Sequence, residues 1–290
     1  MKKTALLLFF TLILAIAFIK VDANAQEFTQ EPYSALTQKK IELFDEKGRV
    51  IDIIPEEEII QVLYETVDKF SFENGEATEE VFQKYEEEEE ILFIQWKDRR
   101  GFIRKDENTL KKFDRMGVFS LNLDSIDDLG NPIITEENLF IEILDISEGE
   151  VKFKTQDGYE ATAPIKNVQG DFFYINREGQ YAMVYKNYIP VFYTKIVTGT
   201  PGEDETPSGI FEVIEMLPGK LLRGPDYKVW VHRWIRFYKN YGAHDADDWR
   251  SVYGGDIYRW RGSHGCVNMS YEAACIIYDM CYLGMKVAII

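Results

Sequence analysis

Histidine and cysteine are scarce in this chain, with three of each among 290 residues. An exported protein built on disulfides carries a larger, even set of cysteines. Cys266, Cys275 and Cys281 therefore make no covalent framework, and at least one thiol stays free. No pair among them or the histidines has the C-x-x-C or H-x-x-x-H spacing of a zinc site, so no metal is expected. Positive charge is also short: 33 Lys and Arg stand against 50 Asp and Glu, a net charge of −17. The deficit is local. Residues 26–168 hold 35 acids and 17 bases, whereas 169–290 hold 14 and 13. A nucleic-acid partner needs a basic footprint, so that partner is excluded, as is docking on anionic lipid. No period of twenty to fifty residues repeats, which excludes a solenoid.

Long apolar runs are limited to one. Lys2 and Lys3 give a positive start, Ala5 to Ile19 is apolar apart from Thr11, and Ala23-Asn24-Ala25 offers a small-x-small cleavage site before Gln26. Those parts in that order make a secretory signal peptide over 1–25. The run is shorter than the roughly 20 residues of a spanning helix. Cleavage, export to the periplasm or cell wall, and no stable membrane span afterwards are the expectations.

The remaining chain is rich in short strand-like runs. Lys40 to Phe44, Val50 to Ile54, Ile59 to Tyr64 and Ile91 to Trp96 are apolar or alternating, with turns at Glu46-Lys47-Gly48 and Asp98-Arg99-Arg100-Gly101. The stretch 73–90 is strongly acidic and reads as a solvated face. The Pro55-Glu56 turn and the ending Trp96 to Ile103 resemble a bacterial SH3-like barrel, which implies a small β domain over 38–106. Residues 107–137 are polar and read as a link. Leu139 to Leu144, Val151 to Lys154 and Tyr159 to Pro164 read as strands, so 107–168 is a linker with a small β module or an edge addition to the domain after it. From Phe172 the strands become densely aromatic. Tyr271 to Leu283 has helical spacing, a cap at Asn268 or Ser270 and a stop at Gly284. Cys275 and Cys281 fall on it six apart and read as buried apolar residues.

The chemistry gathers at the end. His232, His244 and His264 all lie in the last sixty residues, and Cys266 sits in Ser263-His264-Gly265-Cys266-Val267-Asn268. A thiol needs a base or a positive neighbour to act as a nucleophile at neutral pH. Flanking glycine lets backbone N–H groups approach an oxyanion. Residues alone thus suggest acyl transfer by a Cys–His pair. His232, in Trp230-Val231-His232-Arg233-Trp234, reads as a structural strand residue.

The run Tyr241-Gly242-Ala243-His244-Asp245, the spacer through Gly254-Gly255, and Ser263 to Asn268 closely resemble the catalytic motif of the L,D-transpeptidases. Thr206-Pro207-Ser208-Gly209-Ile210-Phe211 and Leu283 to Ile289 resemble further marks of that family, and the likeness covers about 169–290. It implies a mostly β fold: a β-sandwich-like catalytic domain with one main helix, preceded by the small SH3-like barrel. It implies Cys266 as nucleophile and His244 as general base, with His264 and Gly265 in the oxyanion loop and Ser263 and Asn268 shaping the site. Asp245 stands where many members have glycine, so either a backbone carbonyl or the Asp245 carboxylate orients His244. Asp245, Trp249 and Arg250 are the weaker candidates for substrate contact; Trp249 and Arg250 could equally just hold the long loop. The implied partner is a peptidoglycan stem peptide, and the implied reaction, which needs no cofactor, is cross-linking of tetrapeptide stems through a thioester. A carboxypeptidase would use the same thioester, and a wall-binding scaffold with an idle site is the rival from another class.

Overall fold

Alternation along Ile41-Glu42-Leu43-Phe44 puts Ile41 and Leu43 inside and Glu42 outside, and the runs around it pair accordingly. The computed structural model describes residues 32–45, 48–66, 90–105, 108–119, 123–126, 132–135, 140–224 and 227–290. The expected signal segment 1–25 and the acidic stretch at 73–89 lie outside the described residues. Strands β1 (Tyr33–Thr37), β2 (Ile41–Phe44), β3 (Val50–Ile54), β4 (Ile59–Thr66), β5 (Glu90–Trp96), β6 (Arg99–Lys105) and β7 (Leu110–Lys112) form one antiparallel sheet in the order β3-β2-β6-β5-β4-β1-β7. Leu43, Ile54, Ile60, Leu92, Ile94 and Ile103 fill its core. Gly101 is required there, because a Cβ would meet the Phe44 carbonyl at 2.5 Å. The expected barrel is not closed among the described residues. β3 and β7 are not paired with each other, and β3 exposes Val50, Ile51 and Ile53 at its edge.

The stretch 107–137, expected to be a polar link, carries strands of its own. Besides β7 it holds β8 (Met116–Phe119), β9 (Leu123–Ile126) and β10 (Pro132–Thr135). The strands β11 (Phe140–Ser147), β12 (Glu150–Lys154), β13 (Glu160–Pro164) and β14 (Val168–Gln169) come next, and a second sheet runs β13-β12-β11-β8-β14. β8 is hidden in the sequence because it has only four residues and draws its stability from β11 and β14 on either side. Its Phe119 meets Phe153 edge to face at 5.0 Å.

The last part contains β15 (Phe172–Asn176), β16 (Tyr181–Lys186), β17 (Ile189–Lys195), β18 (Gly209–Glu212), β19 (Glu215–Leu217), β20 (Lys220–Arg223), β21 (Lys228–Val231), β22 (Trp234–Tyr238), β23 (Tyr241–Asp245), β24 (Val267–Met269) and β25 (Lys286–Ile289), with helices α1 (Tyr258–Arg261) and α2 (Tyr271–Met280). Two sheets, β17-β16-β15-β25-β18 and β19-β22-β23-β24, share one core. Phe173, Ile175 and Val184 come from the first, Ile235, Ala243, Val267 and Met269 from the second, and Ala273, Ala274 and Ile277 from α2. That is the expected sandwich-like arrangement with one main helix. Truncating one of its large side chains to alanine should cost about 2–5 kcal/mol. Ser270 caps α2, its hydroxyl accepting from Ala273 N at 3.2 Å. The helix stops at Met280, three residues before the expected end, where Cys281 N still reaches the Ile277 carbonyl at 2.9 Å. Cys281 is buried, whereas Cys275 is only half-buried.

Candidate active site

The hairpin β22–β23 and the parallel pair β23–β24 build the site. In that pair Ala243 lies beside Val267 and His244 beside Asn268. Ala243, Val267 and Met269 point into the core. Side chains alternate along a strand, so His244 and Asn268 point to the opposite face. Extending the register by one residue puts Cys266 beside Gly242, on that same face. Asn268 is locked on its other side by two backbone bonds to Val197, each 2.8 Å. The site therefore rests on backbone pairing rather than on loose loops.

His244 is buried, 3% exposed. Its Nδ1 lies 2.8 Å from the backbone carbonyl of Asp245, and its Nε2 lies 3.3 Å from Asn268 Nδ2. A carbonyl can only accept, so Nδ1 carries the proton and Nε2 is left with the lone pair. Trp234 stacks on the ring at a centroid distance of 5.7 Å, and Trp249 is tilted against it at 6.1 Å. Burial pushes the imidazole pKa down, and the nearby Arg250 charge acts in the same direction. The hydrogen bond to the Asp245 backbone and the Asp245 charge oppose it. The ring is thus held neutral.

Cys266 is half-buried, with Sγ 4.0 Å from the Asn240 carbonyl. Loss of water pushes its thiol up to about 11, against a backbone hydrogen bond from Gly242 and the Lys220 charge, which favour the thiolate. The turn before it is braced from within and below. Ser263 Oγ donates to the Cys266 carbonyl and accepts from Gly265 N at 3.1 Å. Thr206, fully buried, donates from its hydroxyl to the Gly265 carbonyl at 2.9 Å and accepts from Gly199 N at 2.8 Å. Gly265 has φ +101°, and a Cβ on it would stand 2.2 Å from Tyr241 Cε1.

Of the residues singled out in the sequence, His244, Asn268 and Cys266 share this face, and Ser263 and Gly265 form the turn that leads into Cys266. His264 projects outward, stacked on Tyr227 at 5.2 Å. Arg250 holds the loop, donating to the Arg261 carbonyl at 2.8 Å. Asp245 turns away: its carboxylate is buried and accepts from the turn at 232–233. Of the two partners considered for His244, the geometry selects the backbone carbonyl. His232 stands at that turn between β21 and β22, not within a strand. Sequence reasoning missed Trp234 as a site residue, because only the hairpin pairing brings it beside His244. Among the described residues no group of three or more His, Cys, Asp or Glu could hold a metal.

Residues 170–289 match the family model YkuD, the L,D-transpeptidase catalytic domain. Among solved structures, the catalytic domain of an E. faecium L,D-transpeptidase is 30% identical, with 41% of this chain and 96% of that chain covered and a TM-score of 0.39. An Enterococcus faecium L,D-transpeptidase mutant is 18% identical over 86% of this chain and 95% of that one, with a TM-score of 0.41. An L,D-transpeptidase from Mycobacterium smegmatis is 18% identical over 50% and 68%, with a TM-score of 0.38. A search of curated proteins finds no match.

Proposed function

We propose, from the premise that this chain belongs to the L,D-transpeptidase catalytic-domain family through residues 170–289, that it is a cysteine acyltransferase acting on peptidoglycan tetrapeptide stems. The observation that carries the residue assignment is the β23–β24 register. It sets Cys266 two positions from Asn268 on the face that also carries His244, whose Nε2 is unprotonated and faces the Asn268 amide at 3.3 Å.

In this reading Cys266 Sγ attacks the carbonyl of the L-centre of the diamino acid in the donor stem. His244 Nε2 takes the thiol proton as the carbon–sulfur bond forms. The developing oxyanion is met by backbone N–H groups of the 264–266 turn. Gly265 N–H is already committed to Ser263 Oγ, which leaves those of His264 and Cys266. The carbon–nitrogen bond then breaks, the imidazolium gives its proton to the amine, and D-alanine departs. An amine of a second stem attacks the thioester, His244 takes its proton, and the proton returns to Cys266 as the sulfur leaves. No cofactor takes part. An export signal at 1–25 would deliver the enzyme to the wall where this substrate lies.

Incubation with purified muropeptides tests the reaction. Cross-linked dimers with release of D-alanine support it; shortened monomers alone would mean that water is the acceptor. Intact mass after carbapenem exposure tests the nucleophile. An adduct should form on the native protein and be absent from a folded Cys266→Ala variant, while Cys275→Ala and Cys281→Ala keep it. An adduct that persists in Cys266→Ala would refute the assignment.

A further inference from the structure

Where β1 and β7 of the first sheet meet β16 and β17, there is a cavity of about 210 Å³ that the proposed chemistry does not use. One wall is aromatic. The rings of Tyr181 and Tyr193, both half-buried, stack at 5.4 Å, and Phe113 stands with them. The other wall is the turn after β3. Thr37, fully buried, staples that turn. Its hydroxyl donates to the Pro55 carbonyl at 2.7 Å and accepts from Glu58 N at 2.9 Å, and its carbonyl accepts from Glu57 N at 2.8 Å. Glu57 is held there at φ +65° and pairs with Lys195 at 2.7 Å. Gln38, Glu56 and Lys111, all exposed, complete the rim. Among the described residues, the side chains of Gln38 and Glu56 and the hydroxyl of Tyr193 have no hydrogen-bond or ion-pair partner.

From this geometry we infer that the cavity is a carbohydrate subsite that holds one N-acetylated sugar of a glycan strand. Its size is below the roughly 300–1,000 Å³ of pockets that enclose a whole small ligand, so it suits one ring of a longer chain. Its charges balance, Glu56 and Glu57 against Lys111 and Lys195, which favours a neutral ligand over an ionic one. Aromatic rings take the apolar C–H face of a pyranose, while the free carboxylate, amide and phenol around them serve its hydroxyls. Burial, with the Glu57 charge, pushes the Tyr193 phenol up to about 12, so it stays neutral and can both donate and accept. An acetamido group adds a carbonyl for Gln38 or Lys111 and an N–H for Glu56. Naming the glycan strand as the source rests on the functional reading above, in which the stems are carried by peptidoglycan. Lys195 links the cavity to the active site. Its side chain lies against Gly254, where a Cβ would meet Lys195 Cδ at 3.0 Å. Gly254 belongs to the connection between β23 and β24, which also carries Trp249 onto His244. A strand seated in the cavity is thus held beside that connection while one of its stems reaches Cys266.

Titration of the full chain with the N-acetylglucosamine tetramer, followed by saturation-transfer difference NMR, tests the site without any turnover. Saturable binding is expected, and weaker binding of cellotetraose, which has the same ring faces but no acetamido groups. Tyr193→Ala should weaken binding of the tetramer at least about tenfold. The double variant Gln38→Ala with Glu56→Ala, which changes only exposed side chains and so spares the fold, should weaken it several-fold. Acylation by a carbapenem should stay within about twofold of native in both variants, whereas cross-linking of stems still attached to glycan strands should fall. No binding by the native chain, equal binding of cellotetraose, or undiminished binding in the folded variants would overturn the inference. A native chain that binds the tetramer but is never acylated would leave the subsite standing and overturn the functional reading instead.

Discussion

His244 and Asn268 face each other across the parallel pair β23–β24, with Nε2 3.3 Å from Nδ2. The amide donates to the very lone pair that the proposed chemistry uses, and so keeps that nitrogen unprotonated and aimed along the face shared with Cys266. Asn268→Ala should therefore lower the maximal rate of acylation by about tenfold or more while changing half-saturation little. Asn268→Asp should do something different. A carboxylate beside Nε2 favours the imidazolium, so the acidic limb of the pH–rate profile should move to higher pH. Stopped-flow acylation between pH 5 and 9 distinguishes the two; superimposable profiles for native and Asn268→Asp would remove the role given to this contact.

The resting pair should be neutral on both partners. The thiol of Cys266 is raised to about 11 and the imidazole of His244 is lowered from 6.5. Proton transfer then accompanies attack on a bound substrate rather than preceding it. Iodoacetamide should alkylate Cys266 of the free protein slowly at pH 7, with the rate still rising above pH 9. A rate already at its plateau by pH 7 would mean a preformed thiolate.

The same shift has a consequence for folding. The unfolded chain takes up a proton near pH 6.5 that the buried imidazole refuses. The unfolded state thus binds more protons below that pH, and stability falls on acidification while being fully present above it. Urea midpoints should decline from pH 7.5 to pH 5, and less steeply for His244→Gln.

Gly265 combines two demands, a φ of +101° and a hydrogen atom where a Cβ would strike Tyr241 at 2.2 Å. Gly265→Ala should leave the fold intact, as judged by circular dichroism, but cost at least about a hundredfold in acylation, because the turn carries the N–H donors. The double variant with Tyr241→Ala relieves the clash but not the backbone strain, so it should recover only part of the rate. Full recovery would assign the whole effect to packing.

The two strands that hold the site, β23 and β24, are legible in the sequence only as a motif. Glycine, histidine and cysteine at 242, 244, 265 and 266 announce chemistry, but β24 has three residues and no alternation to read. Its parallel partner lies more than twenty residues upstream, and only tertiary pairing reveals that Asn268 and His244 meet. The orientation of His244 is undecidable from sequence for a related reason. Asp245, the next residue in the chain, offers both a carbonyl and a carboxylate, and strand alternation, which sends the carboxylate to the far side, decides between them. By contrast, α2 and most strands before 106 are readable from spacing alone. The failure at 107–137 has the opposite cause. Met116-Gly117-Val118-Phe119 is a short apolar run in polar surroundings, and Gly117 is needed because a Cβ would press on Val168 and Ile143 at 2.8 and 3.0 Å.

That misread segment changes where the chain can be cut. Composition alone, with its charge shift after residue 168, favours separating the catalytic part at 169, or at 138 if the middle strands belong to it. The packing favours neither. Val118 and Phe140 share a buried cluster with Phe172, Tyr174, Met183 and Tyr185, and Phe140 stacks on Tyr174 at 5.3 Å. Met116 N also bonds to the Tyr188 carbonyl at 3.0 Å. A fragment starting at 169 exposes that aromatic face, and one starting at 138 removes β8 from between β11 and β14. The contacts of the first sheet with the catalytic part are lighter and more polar: Ser34 Oγ donates to the Pro190 carbonyl at 3.1 Å, and Glu57 pairs with Lys195 at 2.7 Å. Exposed ion pairs of that kind contribute about 0–1 kcal/mol. The expected outcome is that fragment 114–290 folds and is acylated by a carbapenem at close to the native rate. Fragment 138–290 should melt well below it, and 169–290 should be the least stable or aggregate. Thermal melts and intact mass on the three fragments check this order. A folded 114–290 that is not acylated would mean that the acidic first sheet completes the active site.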